Sequence, residues 1–293
     1  MAPRFNAPER GAVDMSDFNK IDQVDSKPEY GSPLSVAIAG RDQETVRMVR
    51  RAVEAGQVML AYQPIVRATS PERPAFYEGL LRVLDHTGRI IPARDFMDAV
   101  EAQELGRQID TWALDLGFQA LAENPELRLA INMSARSIGY PRWMAALRQG
   151  LERNPTAGER LILEITERTA IVMPDLVQVF MSEMQSHGIS FALDDFGAGY
   201  TAFRYLRDFY FDILKVDGEF TKEIAANPDN QVIAEAMLSI ARHFDMLTVA
   251  ENVESWEDAQ FLIGAGYDML QGHFFGAATV RPQWQAESAA NLA

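Results

Sequence analysis

The chain has 293 residues, 47% hydrophobic and 24% charged, which suits one large α/β domain or two small ones around a sizeable core. Its 27 Lys plus Arg face 42 Asp plus Glu, a formal net charge of −15, which argues against a nucleic-acid polymer or an anionic membrane surface as partner, since both are held mainly by basic side chains. There is no cysteine and only four histidines (His86, His187, His243, His273), so disulfides, thiolate metal sites and cysteine nucleophiles are excluded and any metal site must use oxygen ligands, which favour hard cations.

In chain order, the opening MAPRFNAPER lacks the apolar core of a signal peptide. No later stretch has the apolar length to span a bilayer, so a soluble, cytoplasmic protein is expected. Residues 1–40, rich in Pro, Gly, Asp and Ser, read as a flexible tail, with SVAIAG as a short docking segment at most. A helix is expected over 41–56, with Val46, Val49 and Val53 on one face. Eight apolar runs follow, at 58–66, 75–83, 127–134, 160–167, 190–195, 211–217, 247–254 and 267–272. Between them lie helical stretches at 94–123, 141–152, 174–187, 200–208, 219–245 and 256–264. Only ATSPERP separates the first two runs, which predicts an antiparallel pair. Strands alternating with helices predict a mostly parallel sheet, and eight of them predict closure into a (β/α)₈ TIM-like barrel with one antiparallel strand near the start. The barrel is expected over 41–285, with 286–293 as a C-terminal tail. An open doubly wound sheet is the alternative, but no GxGxxG follows the first strand to support dinucleotide binding.

The apolar runs carry late, or end in, residues able to bind metal or move protons: Glu78, Asn132, Glu164, Asp194, Asp195, Lys215, Glu251 and Gln271. Singly, each has a plainer reading as a helix cap, a turn residue or a solvated acid. Lys215, for example, shares a strand face with Asp217 and can simply pair with it. Together they are different. In a (β/α)₈ barrel the strand C-termini meet at one face, where active sites are built. Five carboxylates there repel one another unless cations neutralise them. Such crowding suits a two-metal phosphoryl site, with cations roughly 3.5–4 Å apart sharing a carboxylate.

At these residues the chain resembles the EAL-domain family of cyclic di-GMP phosphodiesterases. The resemblance is carried by YQPIV, YEGLLR, INMS, LEITE, DDFGAGY, LKVD, AENVE and LQGHFF, in family order over about 45–280. It implies two divalent cations, Mg²⁺ or Mn²⁺. Glu78, Asn132, Glu164 and Asp194 would hold the first, and Asp194, Asp195 and Glu251 the second. It implies further that Lys215 holds the attacking water and helps deprotonate it, and that Glu167 anchors the DDFGAGY loop. Glu254 and Gln271 would orient ligands or water, while Gln63 and Arg82 would contact the dinucleotide. A homodimer through the DDFGAGY loop and its following helix is also implied. The chain departs from the family in having Gly79 for the usual Ala, Val83 for a frequent Trp, and Asn252 for a common Gly.

The expected reaction is hydrolysis of cyclic di-GMP to linear pGpG by a metal-activated water. The main alternative is a catalytically silent cyclic di-GMP receptor acting through a protein partner. A ligand-free interaction scaffold and a magnesium-dependent barrel enzyme abstracting a proton next to a carboxylate are weaker rivals, the latter because paired Lys or His bases are missing.

Overall fold

The computed structural model describes residues 33–199, 206–282 and 284, with side chains from residue 41 onward. The chain divides into two units, 1–41 and 42–293. Among the described residues the second carries nine strands: β1 Val58–Arg67, β2 Ser70–Leu84, β3 Ile90–Pro92, β4 Leu129–Asn132, β5 Leu161–Thr166, β6 Ser190–Phe196, β7 Ile213–Val216, β8 Leu247–Ala250 and β9 Met269–Gln271. The six longer helices are α1 Pro33–Glu54, α2 Glu104–Glu123, α3 Pro141–Arg153, α4 Pro174–Gln185, α5 Pro228–His243 and α6 Trp256–Ala265.

The sheet runs β1-β9-β8-β7-β6-β5-β4-β2, and β1 also pairs with β2, so eight strands close into a ring. Strand β1 is antiparallel to both neighbours, whereas the other ring pairs are parallel. The expected barrel and its antiparallel strand are thus present. All eight apolar runs are strands because both of their faces are buried. Outward residues such as Leu129, Ile131, Leu163, Leu193 and Leu214 join one core with Leu114, Phe118, Trp143 and Phe180 of the helices. Inward, Ile65, Phe76, Ala130, Ile162, Ala192, Ile213, Val249 and Met269 form a second core inside the ring. Strand β3 pairs only with β2, outside the ring.

Several helix boundaries differ from expectation. Helix α1 begins at Pro33, so SVAIAG is helical. Proline at a first helical position is pre-organised for it. The stretch 94–123 is broken into a short turn, Met97–Val100, and then α2. The chain doubles back so tightly here that a Cβ at Gly106 would lie 2.8 Å from the Glu101 carbonyl oxygen. The stretch 219–245 is split where Glu223 turns left-handed (φ 53°), and α5 restarts at Pro228. The helix expected over 200–208 lies mostly outside the described residues. No helix among the described residues is long and apolar enough to cross a membrane.

Candidate functional site

The inner core dictates where polar residues gather. Side chains two apart on a strand share a face. Two residues beyond each inner apolar residue, toward the C-terminal end of the parallel strands, stand Glu78, Asn132, Glu164, Asp194, Lys215, Glu251 and Gln271. On the antiparallel β1 the equivalent step runs backward, from Ile65 to Gln63, which lies opposite Glu78 in the β1–β2 register. Each of the eight ring strands therefore places one polar residue at the same rim.

Lys215 sits at the centre, 1% exposed. Its Nζ lies 2.7 Å from Asp194 Oδ1, 2.8 Å from Glu251 Oε1, 3.2 Å from Glu164 Oε2 and 3.5 Å from Glu78 Oε2. Burial disfavours the ammonium, but the four carboxylates outweigh it and hold its pKa well above the usual lysine value. Glu78 is held from both sides: Gln271 Nε2 donates to its Oε2 at 2.6 Å and Asn132 Nδ2 to its Oε1 at 2.7 Å. Burial pushes its carboxyl up, yet Lys215 and these amides bring it below the ordinary range. Glu164 and Glu251 go the other way. Burial, reinforced by the neighbouring carboxylates, raises both well above the usual glutamate value despite Lys215.

Strand alternation alone would turn Asp195 away from Asp194. Instead Asp195 is left-handed (φ 54°), and the β6–β7 register slips between Leu193 and Phe196. This bulge lets both aspartates face the rim. Oxygens of Asp194, Asp195 and Glu251 approach within 4.8 Å of one another. Burial and the Asp194 charge push Asp195 up to about 6. The donors are hard oxygens, one ammonium serves five carboxylates, and the buried Glu164 Oε1 has no hydrogen-bond partner. This donor set fits a hard divalent cation.

The remaining predicted residues occupy different places. Gln63 accepts from Gln271 Nε2 at 3.3 Å and donates to the Gly276 carbonyl at 3.3 Å, so it belongs to the rim network. The Gly197 amide donates to buried Glu167 Oε2 at 3.3 Å, tethering the loop after β6. Tyr200, which ends the DDFGAGY segment, lies outside the described residues. Arg82 is half-buried, and its Nη1 donates to the Leu81 carbonyl at 3.0 Å. Glu254 is not drawn into the network. Val253 is buried in the outer core, while the Glu254 carboxylate is 46% exposed and loosely paired with His273 (3.7 Å) and Lys222 (3.8 Å). Asn252 is left-handed (φ 50°), the conformation in which glycine would be the easier choice.

Gly79 faces away from the rim. A Cβ there would lie 2.7 Å from Ile131 Cδ1, and one at Gly117 would lie 3.0 Å from Ile131 Cγ1, so the two glycines make the slot that Ile131 fills. The missing methyl is thus filled from outside the barrel, while Glu78 keeps its partners. One residue escaped the sequence reading: Asp110 of α2, buried among apolar neighbours. Its Oδ2 accepts from the Ser134 amide at 3.0 Å and the Ser137 hydroxyl at 2.6 Å, fixing the turn after Asn132. The signal was its place on the apolar face of α2, with Gly106, Ile109, Ala113 and Leu114.

A cleft of about 350 Å³ opens beside this rim, lined by Glu78, Asn132, Asp194, Asp195, Asp110 and Arg94 among others. Comparison with known proteins points to one family. The EAL domain model matches residues 46–278. Similar proteins include cyclic di-GMP phosphodiesterase PdeF of Escherichia coli, 31% identical over 78% of this chain and 31% of that protein. Cyclic di-GMP phosphodiesterase PdeB of Shewanella oneidensis is 31% identical over 80% of this chain and 28% of its own length. The chain thus spans about a third of the length of the curated relatives it matches. Among solved structures, the PaMucR phosphodiesterase in complex with c-di-GMP superposes with a TM-score of 0.71 at 28% identity, covering 83% of this chain and 99% of that one. The FimX EAL domain of Pseudomonas aeruginosa shares the fold, with a TM-score of 0.73 at 23% identity over 81% of this chain and 97% of that one. With the family model spanning the barrel from its first helix to beyond its last strand, the chain belongs to the EAL domain family.

Proposed function

We propose that this chain is a cyclic di-GMP phosphodiesterase that opens one phosphodiester to give linear pGpG. The observation that carries this reading is the complete polar rim, one residue from each ring strand plus Asp195 from the bulge in β6, with five carboxylates and one lysine beside a cleft of about 350 Å³. The names of the phosphodiesterase relatives supply the substrate class. Glu78, Asn132, Glu164 and Asp194 would hold one divalent cation, and Asp194, Asp195 and Glu251 a second, Mg²⁺ or Mn²⁺. When bound, such cations neutralise phosphate charge and acidify water.

The chain's own residues do the rest. Gln271 and Asn132 lock both oxygens of Glu78, so the carboxylate is pre-organised rather than recruited during the reaction. Lys215, an ammonium amid four carboxylates, is a hydrogen-bond donor and suits holding the attacking water. Taking that water's proton requires the carboxylate field to be offset, which bound cations would do. Gln63 and Arg82 present amide and guanidinium groups for the dinucleotide. The homodimer through the DDFGAGY loop belongs to the same proposal.

The test is incubation of purified protein with cyclic di-GMP and Mg²⁺ or Mn²⁺, followed by chromatography. The expected product is pGpG, suppressed by chelator and by Glu78→Ala. Tight binding without product would replace the enzyme with a receptor.

A further inference from the structure

The cleft is not uniformly acidic. Besides Glu78, Asn132, Asp194 and Asp195 it is lined by Arg94, from the turn after β3, and by Arg168, from the helical turn after β5. Neither guanidinium is committed to holding the fold. Arg94 lies 3.7 Å from Asp95 and is 82% exposed, and Arg168 lies 3.7 Å from Glu101 and is 77% exposed. Both separations are too long for a hydrogen bond, and exposed pairs of this kind contribute little to stability. Arg94 also stands close enough to the half-buried Arg82 that, after burial itself, it is the main influence lowering that guanidinium's pKa. Guanidiniums are therefore gathered at the cleft in a chain of net charge −15. Asp98 and Glu101 share the wall and temper the positive charge there.

A cyclic dinucleotide carries two phosphates. The proposed reaction, on which this step rests, places one of them at the carboxylate rim. The second carries its own negative charge and calls for donors of its own. Planar guanidinium forks bind phosphate oxygens in a bidentate way. We infer that Arg94 and Arg168 form a second anion subsite that takes the phosphate not being cleaved. Arg168 then exchanges its long contact with Glu101 for the phosphate. Because the subsite binds a part of the ligand that does not react, its effect falls on KM more than on kcat.

The experiment compares wild type, Arg94→Ala, Arg168→Ala and the double variant on two substrates with Mn²⁺: cyclic di-GMP, and bis(p-nitrophenyl) phosphate, which has a single phosphate. For the double variant, kcat/KM on cyclic di-GMP is expected to fall about tenfold more than on the single-phosphate ester, mainly through KM. Partial recovery by the Arg-to-Lys pair is expected as well. Equal losses on both substrates, or no loss on cyclic di-GMP, overturn the subsite while leaving the phosphodiesterase reading in place. Should wild type turn over neither substrate, that reading fails, and calorimetric binding of cyclic di-GMP decides the subsite alone. About tenfold weaker binding by the double variant supports it, and unchanged binding, or none by wild type, overturns it.

Discussion

Lys215 answers four carboxylates with a single charge, and its removal leaves them facing one another in a buried space. Breaking a buried ion network by deleting one partner typically costs about 3–5 kcal/mol. Lys215→Met, close in volume, is expected to lower stability by about that amount in chelator, as read by urea denaturation, and to recover much of it on adding Mn²⁺. Turnover of cyclic di-GMP is expected to stay absent in both conditions. Asp110 makes a different prediction at the same scale. Burial raises its carboxyl to about 6, above the ordinary 3.8, so the folded chain holds a proton that the unfolded chain releases at lower pH. Its stabilising contribution is full below about 4 and is lost as pH rises to about 6, with a slope of about 1.4 kcal/mol per pH unit. Asp110→Asn is expected to flatten the denaturation midpoint across that window, and an unchanged slope would assign the pH dependence to other groups.

At the scale of the element, the bend in β6 is the feature that brings two neighbouring aspartates to the same rim. With φ at 54°, Asp195 occupies a backbone region where glycine is at ease and alanine is strained. In chelator, Asp195→Gly is expected to be more stable than Asp195→Ala by about 1 kcal/mol, although both lose the same carboxylate. Calorimetric titration should show Mn²⁺ affinity reduced alike in the two. Strand β2 carries the other elemental prediction. Gly79→Ala drives a methyl toward Ile131 and is expected to cost about 1–3 kcal/mol in thermal or urea melts. Adding Ile131→Val removes the opposing Cδ1 and should restore most of it, with turnover preserved throughout. The strands were legible in the sequence because burial on both faces makes them continuous apolar runs. Three-residue β3 was not, since so short a segment has no pattern. The breaks after Met97–Val100 and at Glu223 were hidden because tight backbone approach and a left-handed residue leave little trace in hydrophobic spacing. Glu254 stands apart from the Lys215 network because AENVE continues past the end of β8 at Ala250, where strand alternation no longer decides which way a side chain points. Asp110 was passed over because a single acid in an amphipathic helix carries no repeat.

For the whole molecule, the rim crowds five carboxylates around one lysine. Any cation that binds only the folded barrel should stabilise it. At a hundredfold excess over Kd the gain is about 2.7 kcal/mol, roughly 5–10 °C for a domain of this size. Thermal melts with Mn²⁺ and with chelator should differ by that margin, and Asp194→Ala is expected to abolish the difference. The barrel was readable from eight recurring apolar runs and the crowding of its rim from the acids that end them, whereas the central place of Lys215 among four carboxylates needs the folded ring.

Strand β1 joins the ring between β2 and β9, and Gln63 meets Gln271 across 208 positions of sequence. During synthesis, at about 5–20 residues per second, the first strand therefore waits about 10–40 seconds for its second neighbour. Through that interval one of its edges is an open template for mispairing. The residue that ends the wait, Gln271, is the one that clasps Glu78. A nascent chain thus stays both unsealed and without its Glu78–Gln271 clasp until the same few residues leave the ribosome.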